Sequence, residues 1–136
     1  MAKVVNIDHI AVVVEKNEKS LSFWQDILGI DLDYTEAVPS MNINLAWLPV
    51  GKTRVELIEA TTQEDNEYYD FLKENGPGLH HVCVEVDDID EMLDTLKKNN
   101  IKLKDQVAQQ LPGRKIAFLE PESCDGVVVE LYEITK

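Results

Sequence analysis

Four side chains that can bind a metal recur in two matching pairs along this sequence. His9 and His81 each stand near the start of a run of β-forming residues, and Glu56 and Glu130 each stand within a later run of the same kind. Two imidazole nitrogens and two carboxylate oxygens suit a divalent transition metal, and a catalytic metal site leaves positions open for water or substrate. These four residues are therefore candidate metal ligands.

The repeat, rather than any local motif, is the reason to join the four residues in one site. The members of each pair lie far apart in sequence, unlike HExxH motifs, which bind metal from one helix. Taken singly, each residue is more simply interpreted as a hydrogen-bonded histidine or a glutamate at a strand edge. If the two halves are related by an approximate two-fold axis, however, the equivalent residues converge on that axis. His80 is out of register with His9 and is predicted to face the opposite side of its strand.

The elements that position these residues follow the same order in each half of the chain. The first half predicts a strand at 4–14, a helix at 18–28 with Asn17 as its N-cap, and strands at 30–36, 44–48 and 53–59, with a turn at 49–52. A connecting helix is predicted at 61–75, before Gly76-Pro77-Gly78. The second half predicts a strand at 79–86, a helix from Ile89 capped by Asp87 or Asp88, and strands at 102–106, 115–119 and 127–133.

This pattern predicts an α+β fold of two tandem βαβββ modules in a single domain, residues 1–136. Module 1 spans about 4–60, the connecting helix about 61–77 and module 2 about 78–136. A chain of 136 residues is typical of one domain with one modest core.

Composition narrows the function classes. A net charge of -13 argues against a nucleic-acid partner, because binding a polyanion depends on clustered Lys and Arg. Arg114-Lys115 is the one basic pair that looks placed to bind a small anionic ligand, and a solvated turn is its ordinary alternative. No membrane span or signal-peptide pattern is recognisable, which predicts a cytoplasmic protein. Cys83 and Cys124 are expected to be reduced and structural.

The sequence resembles the vicinal oxygen chelate (glyoxalase/bleomycin resistance) superfamily and, within it, the methylmalonyl-CoA epimerases. The resemblance is carried by the strings IDHIAVVV, FWQDILG, VELIEA, GLHHVCVEVDDID and KIAFLEPESCDGVVVEL, which span nearly the whole chain. It implies that the paired modules form a cupped mixed sheet around a divalent metal ion. His9, His81 and Glu130 would be metal ligands, with Glu56 at the fourth ligand position.

The activity that the resemblance implies is interconversion of (2R)- and (2S)-methylmalonyl-CoA. On this resemblance, the C2 proton would leave while a bound metal, one of Co, Ni, Zn or Mn, would stabilise the enolate. Glu130 is the expected member of the acid/base pair, Glu56 is a further candidate catalytic residue, and the identity of the second acid/base is left open. The substrate is an acyl-CoA, for which Arg114 and Lys115 are candidate binding residues. The resemblance also implies a homodimer.

Three departures from the epimerase pattern leave alternatives open. Leu45 stands where some epimerases carry a second carboxylate base, and Ser40-Met41 replaces a frequent Glu-Gln. Glu120-Pro121-Glu122-Ser123 replaces a basic His-Pro-Lys segment. A glyoxalase I is the alternative enzyme, since two histidines and two glutamates suit it at least as well. A non-catalytic ligand-binding module of the bleomycin-resistance type is the third hypothesis, although such modules typically lack the full ligand set.

Overall fold

The structure, a computed structural model, describes residues 1–135. Its strands are β1 (Val4–Val14), β2 (Tyr34–Val38), β3 (Ile43–Val50), β4 (Thr53–Ala60), β5 (Gly78–Val86), β6 (Gln109–Leu111), β7 (Arg114–Phe118) and β8 (Val129–Ile134). Its α-helices are α1 (Asn17–Leu21), which continues as the π-helical segment Ser22–Ile27, α2 (Glu67–Asn75) and α3 (Ile89–Lys98). The order β-α-β-β-β thus occurs once before α2 and once after it, which confirms the predicted α+β class and its tandem modules.

By packing, the chain divides into two compact units. The terminal unit contains Met1–His9 and the chain from His81 onward, and the central unit contains Ile10–His80. Strand β1 contributes residues to both units, so the units differ in their boundaries from the predicted modules. The single domain with boundaries near residues 60 and 78 stays a prediction.

In the terminal unit the strand order is β1-β5-β8-β7-β6. Strands β5 and β8 are parallel, and β8 with β7 and β7 with β6 are antiparallel, so the sheet is mixed. Alternate side chains point to opposite faces, and each face has its own apolar cluster. Helix α3 packs Ile89 and Leu93 against a cluster that includes Val86 and Leu131. The other face carries Cys83, Ile116, Phe118 and Tyr132.

In the central unit the strand order is β2-β3-β4-β1, and β2–β3 and β3–β4 are antiparallel pairs. The buried core on one face contains Ala46, Leu48, Val55 and Leu57, against which Trp24 packs. The predicted turn at 49–52 is shorter in the structure, because β3 runs to Val50 and leaves Gly51 and Lys52 as the turn. Among residues 1–135, no helix is both long and apolar enough to cross a bilayer.

Two helices start where a side chain caps them. Asp88 caps α3 by accepting a hydrogen bond from the Glu91 amide at 3.0 Å, which confirms one of the two predicted caps. The prediction of a connecting helix from residue 61 was wrong at its start, because Asn66 accepts from the amides of Tyr68 and Tyr69 and so begins α2 at Glu67.

The first predicted helix needs two corrections. Asn17 is the first residue of α1 rather than its cap, and its side-chain amide donates to Asn44 O at 3.0 Å instead of capping the helix. The prediction of a regular α-helix to residue 28 was also wrong, because Ser22–Ile27 is π-helical. The strand predicted at 30–36 begins only at Tyr34. Ahead of it, the side chain of Gln25 accepts the Leu32 amide at 2.8 Å, in place of a ladder partner.

The strand predicted at 102–106 is absent from the described chain, which has only an isolated bridge between Leu103 and Leu119 there. The carboxylate of Asp105 accepts the Phe118 amide at 2.8 Å, and a side chain therefore occupies a position that a neighbouring strand would fill. Strand β6 (Gln109–Leu111) was not predicted and forms a hairpin with β7. The last two predicted strands are confirmed with shifted ends, as β7 and β8.

Candidate metal centre

Three of the predicted metal ligands meet on one face of the terminal unit. His9 lies on β1, His81 on β5 and Glu130 on β8, and these positions lie deep within the fold. The parallel register pairs Cys83 with Glu130, and His81 is two residues from Cys83, so period two brings His81 and Glu130 to the same face. The strand order and the register therefore gather residues that are far apart in sequence.

One carboxylate oxygen is shared by both histidines. Nε2 of His9 lies 3.0 Å from Oε1 of Glu130, and Nε2 of His81 lies 2.9 Å from the same oxygen. The exposed fractions of the three residues are 1%, 3% and 5%, respectively. Their three donor atoms lie within 4.8 Å of one another. This arrangement provides two imidazole nitrogens and one carboxylate in a buried cluster.

The distances fit a divalent transition metal. Neighbouring ligand atoms that each lie about 2.1 Å from such an ion are about 3 Å apart when they subtend a right angle. The two Nε2 to Oε1 distances match that separation. Three protein ligands would leave further coordination positions for water or substrate. The residues present therefore suit a catalytic rather than a closed structural metal site.

Glu130 is held as a carboxylate by its neighbours. Burial by itself would raise the pKa of Glu130, but hydrogen bonds from His81 and His9, together with their charges, lower that pKa well below its usual range. The side chain therefore stays ionised at neutral pH, which is the form that binds a metal or accepts a proton.

Aromatic rings form part of the wall of this centre. The ring of Tyr132 meets His9 edge-on at 5.9 Å between centroids, and the ring of Phe118 meets His81 edge-on at 5.1 Å. The two histidine rings themselves lie 5.6 Å apart in a T-shaped arrangement. Such packing fixes the ring orientations and limits the access of water to the nitrogens.

Comparison with known proteins agrees with this geometry. Residues 8–118 match the family model described as Glyoxalase/Bleomycin resistance protein/Dioxygenase superfamily. The chain belongs to this superfamily. It is 35% identical over 133 residues to the mitochondrial methylmalonyl-CoA epimerase of Mus musculus, which covers 96% of this chain and 74% of the mouse protein. It is 31% identical over 127 residues to a lactoylglutathione lyase of Neisseria meningitidis, with 92% and 88% covered.

A solved structure supports the same assignment. The methylmalonyl-CoA epimerase of Mycobacterium tuberculosis matches with a TM-score of 0.91 and 25% identity, covering 98% of this chain and 90% of that one. The resemblance to the superfamily and to its epimerases, inferred above from sequence strings, is thereby confirmed. The two βαβββ modules of this chain are the expected fold of the superfamily.

Two further residues discussed in the sequence analysis belong to the central unit. Glu56 belongs to the central unit, where it is buried on β4 directly opposite Trp47 of β3. Its role as fourth ligand and as catalytic residue stays a prediction. His80 has surroundings different from those of His81, because its ring packs against Tyr68 and Phe71 of α2, with centroids 5.0 Å away in each case.

The predicted basic pair makes contacts of its own. Arg114 is 7% exposed, and its Nη1 donates to the backbone oxygen of Pro112 at 3.0 Å. The Lys115 ammonium donates to Asp90 at 3.1 Å. Both residues stay candidates for substrate binding. In that role the Lys115 ammonium would leave the carboxylate of Asp90 and bind a phosphate of the substrate.

Sequence reasoning missed one residue of the centre. Oδ2 of Asp8 lies 2.6 Å from Nδ1 of His9, and Asp8 is itself buried. Neighbouring side chains on a strand normally point to opposite faces, so alternation argued against this contact. The available signal was a carboxylate next to a candidate ligand histidine, in an otherwise apolar run.

Proposed function

We propose that the chain is a metal-dependent epimerase that interconverts (2R)- and (2S)-methylmalonyl-CoA. The observation that carries the proposal is the buried cluster of His9, His81 and Glu130, whose donor atoms have the spacing of metal ligands. The choice of substrate is supported by the 35% identity to the mouse methylmalonyl-CoA epimerase over nearly the whole chain.

The metal would be held by His9, His81 and Glu130, with Glu56 as the proposed fourth ligand. When bound, it would supply a Lewis acid that polarises the oxygens of the substrate and makes its C2 proton more acidic. Imidazole and carboxylate ligands suit Co, Ni, Zn and Mn alike, so the proposal includes any of these four ions.

Proton transfer is assigned first to Glu130. Its lowered pKa keeps it ionised, which makes it available as a base but also a weak one. A weak base is effective only against an acidified proton, which is why this chemistry pairs the carboxylate with a Lewis acid. The buried surroundings of Glu130 exclude the water that would compete for the proton.

Inversion at C2 needs a second group on the other face of the carbon. Leu45, which stands where some epimerases carry a carboxylate, is 2% exposed and has no proton to transfer. We assign the second role to Glu56, the buried carboxylate of β4. Recognition of the acyl-CoA by Arg114 and Lys115, a homodimeric state and a cytoplasmic location complete the proposal.

Solvent isotope exchange tests substrate and reaction together. Methylmalonyl-CoA is incubated in deuterium oxide with the protein and each of the four metals, and deuterium at C2 is followed by mass spectrometry. The expected result is metal-dependent incorporation that disappears with a chelator. Absence of exchange with every metal would refute the epimerase proposal.

The Neisseria relative supports a second candidate, a glyoxalase I. Such an enzyme would convert the hemithioacetal of methylglyoxal and glutathione to S-lactoylglutathione, with two carboxylates moving the proton. Parallel assays decide between the enzymes, because each substrate gives a distinct product. A protein that turns over neither substrate, and whose His81→Ala variant binds methylmalonyl-CoA as tightly as the unaltered chain, would instead be a non-catalytic binding module.

A further inference from the structure

Asp8 makes a short hydrogen bond to one of the candidate ligands. Its Oδ2 lies 2.6 Å from Nδ1 of His9, and the two residues are 6% and 1% exposed. A carboxylate is costly to bury without a partner that donates to it. His9 thus has one ring nitrogen directed at Asp8 and the other, Nε2, directed at Glu130.

The chemistry of the two groups fixes the role of each nitrogen. An ionised carboxylate only accepts hydrogen bonds, so Nδ1 of His9 carries the proton in this contact. With the proton on Nδ1 held by Asp8, Nε2 is the nitrogen that can give up its hydrogen bond to Glu130 and bind a metal through its lone pair. A carboxylate that accepts a hydrogen bond from the ring nitrogen facing away from the metal both orients a ligand histidine and makes it a stronger electron donor to the metal.

A competing interpretation comes from Cys83. Its Sγ lies within 4.8 Å of donor atoms of Asp8 and His9, so these three buried residues could themselves hold an ion. The distances favour a proton instead. Two ligand atoms about 2.1 Å from one ion are about 3 Å apart or more, whereas Asp8 and His9 are separated by 2.6 Å, the length of a charge-assisted hydrogen bond.

We infer that Asp8 is a positioning residue, which holds the proton of His9 on Nδ1 and so directs Nε2 to the metal. The inference rests on the metal site of the proposed function. It predicts that Asp8 acts on metal affinity through His9, without contacting metal or substrate.

The test compares Asp8→Ala and Asp8→Asn with the unaltered chain and with Asp88→Ala. Asn retains an oxygen that accepts from Nδ1, while Ala removes the acceptor. Asp88→Ala removes the cap of α3 and serves as a destabilised control with an intact centre. Two quantities are measured: the affinity for Co²⁺, from its visible absorption, and the proton on His9 Nδ1 in the metal-free ¹⁵N-labelled protein, by NMR.

We expect Asp8→Ala to lose the Nδ1 proton signal and to bind Co²⁺ about 10- to 100-fold more weakly. Asp8→Asn should keep the Nδ1 proton signal and lose less Co²⁺ affinity than Asp8→Ala. Asp88→Ala should keep both the signal and the Co²⁺ affinity of the unaltered chain. Unchanged Co²⁺ affinity in Asp8→Ala, or an equal loss in Asp88→Ala, would overturn the inference while leaving the epimerase proposal intact. If a second equivalent of Co²⁺ binds and is lost in Cys83→Ala, Asp8 is a ligand and the inference is wrong. An unaltered chain that binds no Co²⁺ refutes the metal site itself.

Discussion

Glu56 and Glu130 occupy matching strands of the two modules, but their surroundings differ. On β8, both histidines direct a nitrogen at one oxygen of Glu130. On β4, Glu56 is paired across the sheet with Trp47. The indole nitrogen of Trp47 donates to Glu36 at 3.1 Å, and the Arg54 guanidinium lies 3.9 Å from the centre of the ring.

This difference shows that a repeated pattern can place the same residue type in two different surroundings. The same residue type recurs at the last strand of each module, and both copies are buried. Only Glu130 belongs to the cluster of donor atoms found among the described residues. The position of a carboxylate in a repeat thus predicts its burial, while its neighbours determine its chemistry.

Replacement of Glu130 is expected to have the largest effect. Glu130→Gln keeps the size of the side chain and one oxygen but cannot accept the C2 proton, so deuterium exchange should fall about 10²- to 10⁴-fold. Metal affinity should fall less, because an amide oxygen can still be a ligand. Exchange rates and a Co²⁺ titration on the same sample check both expectations. An active Glu130→Gln variant would remove Glu130 from the base role.

Glu56→Gln tests whether the other glutamate is a second acid/base. With one group lost, one epimer should still exchange its C2 proton through Glu130, but without inversion, while net epimerisation slows about 10²-fold. The measurement starts from each pure epimer in deuterium oxide and follows exchange and inversion separately. Equal losses of exchange from both epimers would instead indicate a role for Glu56 in metal binding alone.

Acid should destabilise the metal-free protein through Glu130. The pKa of Glu130 is lowered in the folded state, so the folded chain holds fewer protons than the unfolded chain near the usual glutamate value of about 4.3. The stabilisation is therefore present above that pH and is lost as the pH falls below it. Urea unfolding from pH 7 to pH 3 measures this loss, which should be smaller in Glu130→Gln. Identical pH profiles would contradict the assigned pKa shift.

The sequence predicted the parts of the molecule that depend on repetition and strong periodicity. His9, His81 and Glu130 could be grouped because their strands recur in the same order, and α3 has an aspartate at its start. The contact between Asp8 and His9 was missed, since alternation along a strand places neighbours on opposite faces.

Three of the wrong element assignments share one cause: polar side chains that bind the backbone of residues seven or more positions away. Asp105 accepts the Phe118 amide where a strand was predicted, and Gln25 accepts the Leu32 amide ahead of β2. Local propensity contains no information about such partners. The same holds for Asn17, which was predicted to cap α1 and instead donates to Asn44.

Helix α1 of the first module and helix α3 of the second provide the last test of the comparison, the one with the smallest expected effect. Asp88→Ala should cost about 1 kcal/mol, because it removes the cap of α3. Asn17→Ala removes no cap from α1. It loses the hydrogen bond to Asn44 O and also removes a buried oxygen, Oδ1, for which residues 1–135 provide no hydrogen-bond donor. Losing the hydrogen bond costs about 1 kcal/mol, and removing the desolvated oxygen restores a similar amount. The net change in the free energy of unfolding should therefore be under about 0.5 kcal/mol. Urea unfolding of both variants measures the difference. If Asn17→Ala proved as destabilising as Asp88→Ala, the two helix starts would depend on their polar residues equally, and the contrast between the modules would be limited to their glutamates.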